Sequence, residues 1–229
     1  MNLLIFYKNI IVLNLGEELD KALLIIMAKW HAFGRCKSRL AKDIGKCNSA
    51  KVQSVMTNHT ISVAKSLQRN ELIDISIAIS GLGVKNCKRW SEKLGIKKFN
   101  LQGKGCLGEK MKRQIIMNRK FCVQNKIKNI IFIGTDLPDL CHLDLLNTIK
   151  FLEQNDLILG PSNDGGYWLI GLSEKIISKH LYLPFIDISW SKENVLKKTI
   201  DNFASTKLKY KFLDKKIDVD RIIDIENRR

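Results

Sequence analysis

Apolar runs and alternating stretches follow one another along the chain in a regular order. Residues 22–28 are wholly apolar, and so are residues 130–133. Runs that do not alternate suit strands buried on both faces of a parallel sheet. Residues 156–159 read as a shorter strand of the same kind, while residues 72–79 and 208–213 alternate polar and apolar and read as further strands. Between these runs the apolar spacing becomes helical: Val52, Val55, Met56, Ile61, Val63, Ala64 and Leu67 predict a helix over residues 49–68. Other helices are predicted over 84–94, 107–124 and 142–152, with two short ones between 174 and 206. His59 lies on the first helix and reads as structural. Strands and helices alternate with no repeat and no long linker, which predicts one α/β domain over residues 22–229. Residues 1–21 read as an N-terminal appendage.

Chemistry is expected where buried strands end, because open α/β sheets place ligands at the carboxyl ends of their strands. The run 130–133 stops at Gly134-Thr135-Asp136-Leu137-Pro138. Gly134 is read here as the residue that lets the chain turn. Asp136 could hold a hard divalent cation beside phosphates, or it could cap the segment that follows. After the first strand, Gly34 precedes three cations, Arg35, Lys37 and Arg39. A glycine turn with cations suits phosphate binding, the alternative being a solvated basic loop. Residues 160–172 carry Asp164, Gly165, Gly166 and Tyr167 after a strand end. They read as a loop that a ligand approaches closely, or as an Asp-Gly hairpin turn. The flanking runs do not alternate cleanly, which favours the ligand loop. Gly103, Gly105 and Gly108 match G-x-G-x-x-G but fail as a dinucleotide fingerprint, since the match lies far from the first strand and no ribose-binding acid follows. It reads as a flexible active-site loop. Asp218 and Asp220 would share a face on a strand and could complete a metal site, or one of them could start a helix.

Composition narrows the partners. Lys and Arg number 39 against 23 Asp and Glu, for a net charge of +16. That balance favours anionic ligands. The lysines are spread along the chain with no basic block, so nucleic acid is not the expected partner. Six cysteines show no C-x-x-C spacing, which predicts reduced thiols and a cytoplasmic setting rather than a zinc site. The apolar residues 1–15 are broken by Lys8, Asn9 and Asn14 and are too short for a stable membrane insertion. They also lack the basic leader and small-residue cleavage site of a signal peptide.

Six segments together carry a family resemblance: LIIMAKW…GRCKSRLA (24–41), QGKGCLGEKM (102–111), IFIGTDLPDL (131–140), LGPSNDGGYWLIGL (159–172), ISWSKENVL (188–196) and DVDRIIDI (218–225). The chain resembles the radical-SAM/selenodomain-associated transferases, a glycosyltransferase-A-like family related to molybdenum-cofactor and phospholactate nucleotidyltransferases. The likeness runs over residues 22–225. It implies a Rossmann-like GT-A fold of the nucleotide-diphospho-sugar transferase type, with a mostly parallel central sheet. It implies metal-dependent transfer, with Mg²⁺ or Mn²⁺, from a nucleotide sugar or an NTP to a small-molecule acceptor. On the matching positions, Gly34, Arg35, Lys37 and Arg39 would line the donor phosphates. Asp136 would bind the metal with Asp218 or Asp220, and Asp164 with Gly165, Gly166 and Tyr167 would face the substrate. Glycosyl transfer is the leading expectation, with Asp164 as the catalytic carboxylate and Glu109 a weaker candidate. Nucleotidyl transfer with pyrophosphate release, and a non-enzymatic nucleotide-binding domain, are the alternatives. The chain departs from the family at His31, where Pro is usual, at Cys106 and Lys110, where Asp and Arg are common, and at Arg221 and Ile222, which replace Thr-Pro.

Overall fold

The computed structural model describes residues 19–190 and 192–226. Nearly all of the predicted appendage, residues 1–18, lies outside them, as does Ser191. The elements in chain order are β1 (Ala22–Lys29), α1 (Leu40–Gln68), β2 (Ile73–Ser80), α2 (Val84–Lys93), β3 (Lys98–Leu101), α3 (Leu107–Gln124), β4 (Asn129–Ile133), α4 (His142–Leu152), β5 (Leu157–Pro161), β6 (Tyr167–Leu172), α5 (Glu174–Lys179), a 3₁₀ turn at Leu183–Phe185, α6 (Val195–Asp201), β7 (Tyr210–Phe212) and α7 (Ile223–Glu226). The strands form one sheet in the order β3-β2-β1-β4-β6-β5-β7. All neighbours are parallel except β6, which runs antiparallel to both β4 and β5.

The unbroken apolar runs have the predicted cause. Leu24 and Ile26 of β1 face a layer that includes Ile61, Ala64 and Leu67 of α1. Leu23 and Ile25 face the opposite layer, with Met111 and Ile115 of α3. Both faces of the strand are covered, so every position must be apolar.

Two expectations need correction. The first helix begins at Leu40 rather than at 49 and carries a break at Gly45 (φ 82°, ψ 158°), which hides its early turns from a helical-period reading. The loop after β5 is also a true hairpin: β5 and β6 pair antiparallel, with Leu159 opposite Ile170. The missing alternation misled because β6 sits between two strands and is buried on both faces from Trp168 to Leu172.

The topology then brings remote segments together. β1 pairs on one side with β2 and on the other with β4, so chain order reverses between β1 and β4. Ile26 is opposite Ile133, and the loops that leave β1 and β4 therefore start side by side. After β7 the chain runs back across the same sheet edge. Leu213 N–H donates to Leu159 O (2.9 Å), Lys216 N–H to Pro161 O (3.0 Å) and Val219 N–H to Asp136 O (2.9 Å). These bonds carry the late segment past the hairpin and dock it on the loop after β4.

Candidate active site

A cavity of about 270 Å³ opens at this edge. Its lining carries Asp136, Asp164, Asp218, Ser162 and Lys192. The ends of β4 and β6, the first turns of α3, and Trp190 complete it. Three carboxylates from three distant parts of the chain thus share one opening. The crevice lies at the reversal of strand order, where ligands of open α/β sheets bind.

Asp136 is held from two directions. The late segment hydrogen-bonds its carbonyl through Val219, and the Lys37 ammonium lies 2.7 Å from its Oδ1. The Lys37 side chain is 5% exposed, and its ammonium also donates to Val219 O. Lys37 has φ 48°, an uncommon conformation for a residue with a side chain, and it aims its cation inward. Asp136 Oδ1 is buried and has no hydrogen-bond donor in good geometry, only the ammonium contact. Thr135, next in the chain, accepts from buried Gln53 of α1 (3.0 Å), which anchors the loop below.

Asp164 sits in the hairpin loop. Its Oδ1 accepts from the Ser162 hydroxyl and from Gly166 N–H (3.0 Å). Burial pushes the Asp218 carboxyl above its usual range, and the negative charges of Asp164 and then Asp136 add to the effect. Its own backbone hydrogen bond and Lys37 oppose the shift. Asp218 therefore senses both other acids electrostatically.

The remaining predicted residues divide. Arg39 pairs with Asp220, and neither lines the cavity. Asp218 and Asp220 lie on irregular backbone, not on a strand, so they do not share a face. Arg35 and Gly34 are exposed at a turn closed by Arg35 N–H to Ala32 O (3.0 Å). Gly34 has φ 69°, and a Cβ there would lie 3.3 Å from the Lys46 side chain.

The glycines trade the roles expected of them. A Cβ on Gly165 (φ 80°) would lie 1.9 Å from Glu193 O, so this glycine admits the protein's own backbone. Leu196 N–H then donates to Gly165 O (2.9 Å). A Cβ on Gly166 would crowd Asp164 Oδ1 and Ser162 Oγ. Gly134 lies outside the left-handed region, and a Cβ there would meet nothing within 4 Å. The chain bends at Thr135, directly after it, and Gly134 itself lines the cavity.

The Gly103–Gly108 loop is held in place rather than loose. Glu109 accepts from Cys106 N–H (2.8 Å), and Arg113 donates to Lys104 O (3.0 Å). The hydrogen bonds from Cys106 keep the Glu109 carboxyl below its usual range, so it caps a helix rather than taking protons. His59 is structural, with Nε2 2.9 Å from Leu140 O.

The cavity walls were not foreseen. Trp190 packs its indole where Gly108 has no side chain, the Cβ-to-Cζ2 separation being 2.7 Å. It meets the Tyr167 ring edge-on at 6.4 Å. The Tyr167 hydroxyl is buried beside Thr199 without a hydrogen bond in good geometry, and burial pushes its ionisation far up. Tyr167 therefore serves as wall rather than as acid or base. Leu107, Met111 and Phe132 complete that side.

A divalent cation has a rational place here. Among the described residues no three His, Cys, Asp or Glu side chains form a metal-holding group by themselves. Mg²⁺ characteristically takes one or two carboxylates and completes its shell with waters and substrate phosphates. Asp136, whose buried Oδ1 is met only by the Lys37 ammonium, and the neighbouring Asp218 fit that pattern.

The sequence matches DUF2064, described as "uncharacterized protein conserved in bacteria", over residues 63–192. The chain belongs to this family. No curated protein matches the chain. Among solved structures, it is similar to a protein of Desulfovibrio desulfuricans G20 provisionally described as a nucleotide-diphospho-sugar transferase, with TM-score 0.72, 22% identity, and coverage of 90% of this chain and 85% of that one. It is also similar to a CMP:2-keto-3-deoxy-manno-octonic acid synthetase complexed with CTP (TM-score 0.55, 10% identity, 91% and 96% covered). A third similarity is to Rv0371c of Mycobacterium tuberculosis H37Rv in complex with manganese (TM-score 0.50, 13% identity, 91% and 97% covered). At these identities the likeness establishes the fold, a single α/β domain of the nucleotide-diphospho-sugar transferase type. Among the described residues no helix is long and apolar enough to cross a membrane.

Proposed function

We propose that this DUF2064 protein is a metal-dependent transferase that uses a nucleotide-activated donor, and that it moves a sugar from a nucleotide sugar to a small-molecule acceptor. One observation carries the reading: Asp136, Asp164 and Asp218 line a single cavity at the switch between β1 and β4, and the Lys37 ammonium lies 2.7 Å from Asp136. The six motifs that resemble the radical-SAM/selenodomain-associated transferases supply most of these residues. The similarity to a protein described as a nucleotide-diphospho-sugar transferase adds support.

In this reading the donor diphosphate lies along the loop after β1. Lys37 faces it from below, and Arg39 is positioned by Asp220. Asp136 and Asp218 would hold Mg²⁺ or Mn²⁺, which would supply neutralisation of the charge that develops on the leaving diphosphate. Asp164, oriented by the hydrogen bonds to its Oδ1, accepts the proton of the acceptor hydroxyl. The acceptor oxygen forms the new bond to the sugar, and the nucleoside diphosphate leaves with the electron pair of the old one. The Lys37 contact keeps a charge beside Asp136 until the ion and donor arrive. Nucleotidyl transfer is the second reading, favoured by the similarity to a synthetase solved with CTP.

Thermal melting with nucleoside triphosphates and nucleotide sugars, with and without Mn²⁺, tests the reading. A ligand at 100 times its Kd should stabilise the fold by about 2.7 kcal/mol. Nucleotide sugars should raise Tm in the presence of Mn²⁺, and Asp136→Asn should abolish the metal-dependent part. Stabilisation by triphosphates but by no nucleotide sugar would transfer the assignment to nucleotidyl transfer. Full metal-dependent binding by Asp136→Asn would remove Asp136 from the site.

A further inference from the structure

Resting on the transferase reading, the geometry points to the class of acceptor: an uncharged hydroxyl compound with an apolar ring or hydrocarbon body. The cavity is two-sided. Its charged groups, Asp136, Asp164, Asp218 and Lys192, keep solvent exposure and mark its rim, whereas Ser162 is buried. The rest of the lining includes Leu107, Met111, Phe132, Trp190 and Val195, which carry no side-chain oxygen, and Tyr167, whose hydroxyl is buried beside Thr199.

A sugar acceptor carries hydroxyls around its whole ring. Placed in this cavity it would turn several of them against Met111 and Phe132, where nothing replaces the water they lose. An apolar body with one hydroxyl matches the division of the wall. The body packs between aromatic and thioether groups, and the hydroxyl reaches the rim beside Asp164. An anionic acceptor is disfavoured by the three carboxylates at that rim.

Gly134 gives independent support. Its backbone does not require glycine, and a Cβ would project into open space at the end of β4. The missing side chain keeps volume at the point where an acceptor body would meet the rim. Leu107, 41% exposed, stands at the entrance from α3 and can be replaced without opening the core.

Binding of 2-naphthylmethanol to the full chain, followed by calorimetry and by saturation-transfer NMR, is compared with methyl glucoside and 2-naphthoate. The alcohol should bind at least tenfold more tightly than either. Gly134→Val should weaken it at least tenfold while Tm stays near that of the wild type. Leu107→Arg, at a partly exposed position, provides a second test should Gly134→Val fold poorly, and should weaken the alcohol by a similar factor. Equal binding of the glucoside or the naphthoate overturns the inference. So does competition between 2-naphthylmethanol and the nucleotide, which would place the donor base in the cavity. Nucleotide binding with no preference for the alcohol overturns this inference and leaves the transferase reading standing. Alcohol binding with no nucleotide binding overturns the transferase reading and, with it, the acceptor role.

Discussion

Adding one methyl group at either of two glycines tests how the site is built. At Gly165 the new Cβ would lie 1.9 Å from Glu193 O and 2.5 Å from its carbonyl carbon, both backbone atoms that cannot swing aside. The position also has φ 80°, where a side chain costs about 1–2 kcal/mol. Forcing a methyl into a filled space costs about 1–3 kcal/mol. The two effects together put Gly165→Ala at roughly 3 kcal/mol of lost stability, toward the middle of the combined range. For a domain of this size each kcal/mol moves Tm by about 2–4 °C, so the variant should melt about 6–12 °C below the wild type.

Gly134→Ala adds the same methyl to open space at an ordinary backbone conformation. Its stability should stay within about 1 kcal/mol of the wild type, because a compatible alanine mainly restricts the unfolded chain. Circular dichroism melting at one pH and protein concentration measures both. Equal melting temperatures for wild type and Gly165→Ala would show that the segment at Glu193 does not rest on the hairpin loop. A large loss from Gly134→Ala would show that the end of β4 is packed and that the cavity is not open there.

Two further predictions concern charge. The Asp218 carboxyl is raised in the folded state, first by burial and then by Asp164 and Asp136, so folding is favoured by its protonation. Its cost to stability is absent below the unfolded carboxylate range, grows as pH rises toward the raised folded value, and persists above it. Asp218→Asn should therefore melt above the wild type at pH 7, with the two converging toward pH 3; a constant gap across that range would refute the burial argument. Lys37→Met removes the cation 2.7 Å from Asp136. Mn²⁺ alone should then bind at least several-fold more tightly by calorimetry, since a charge beside a site is worth about 1–4 kcal/mol before screening. Binding of the Mn²⁺–nucleotide complex should weaken, and a variant that strengthens both would show that Lys37 faces no phosphate.

What the sequence made legible follows from what burial demands. Residues 22–28 and 130–133 announce central strands because both their faces are covered, and no polar residue could stand there. The same demand concealed the hairpin. β6 lies between β4 and β5, so its residues cannot alternate, and the usual hairpin pattern is missing from a real hairpin. The acids were legible one at a time, as carboxylates after strand ends. Their meeting was legible only through the family resemblance, because it depends on hydrogen bonds from Leu213, Lys216 and Val219 that follow the sheet edge and leave no periodicity. The division between Asp218 and Asp220 was hidden for the same reason: irregular backbone sets it, and a strand reading put both on one face.

The glycines show how far local reasoning reaches. A glycine signals that a side chain is excluded, but not what excludes it. At Gly165 it is the chain's own backbone, and at Gly108 the Trp190 ring. At Gly134, which lines the cavity, no protein atom within 4 Å excludes it. Trp190 could not be placed from its neighbours in sequence, since it reaches the wall by packing on a helix start more than 80 residues earlier. The polar half of the site is thus encoded in short motifs and the apolar half in contacts between distant elements. A motif comparison therefore reads the donor chemistry far better than the acceptor. For this protein the more informative guide to the acceptor is the shape and polarity of the wall formed by Leu107, Met111, Phe132 and Trp190.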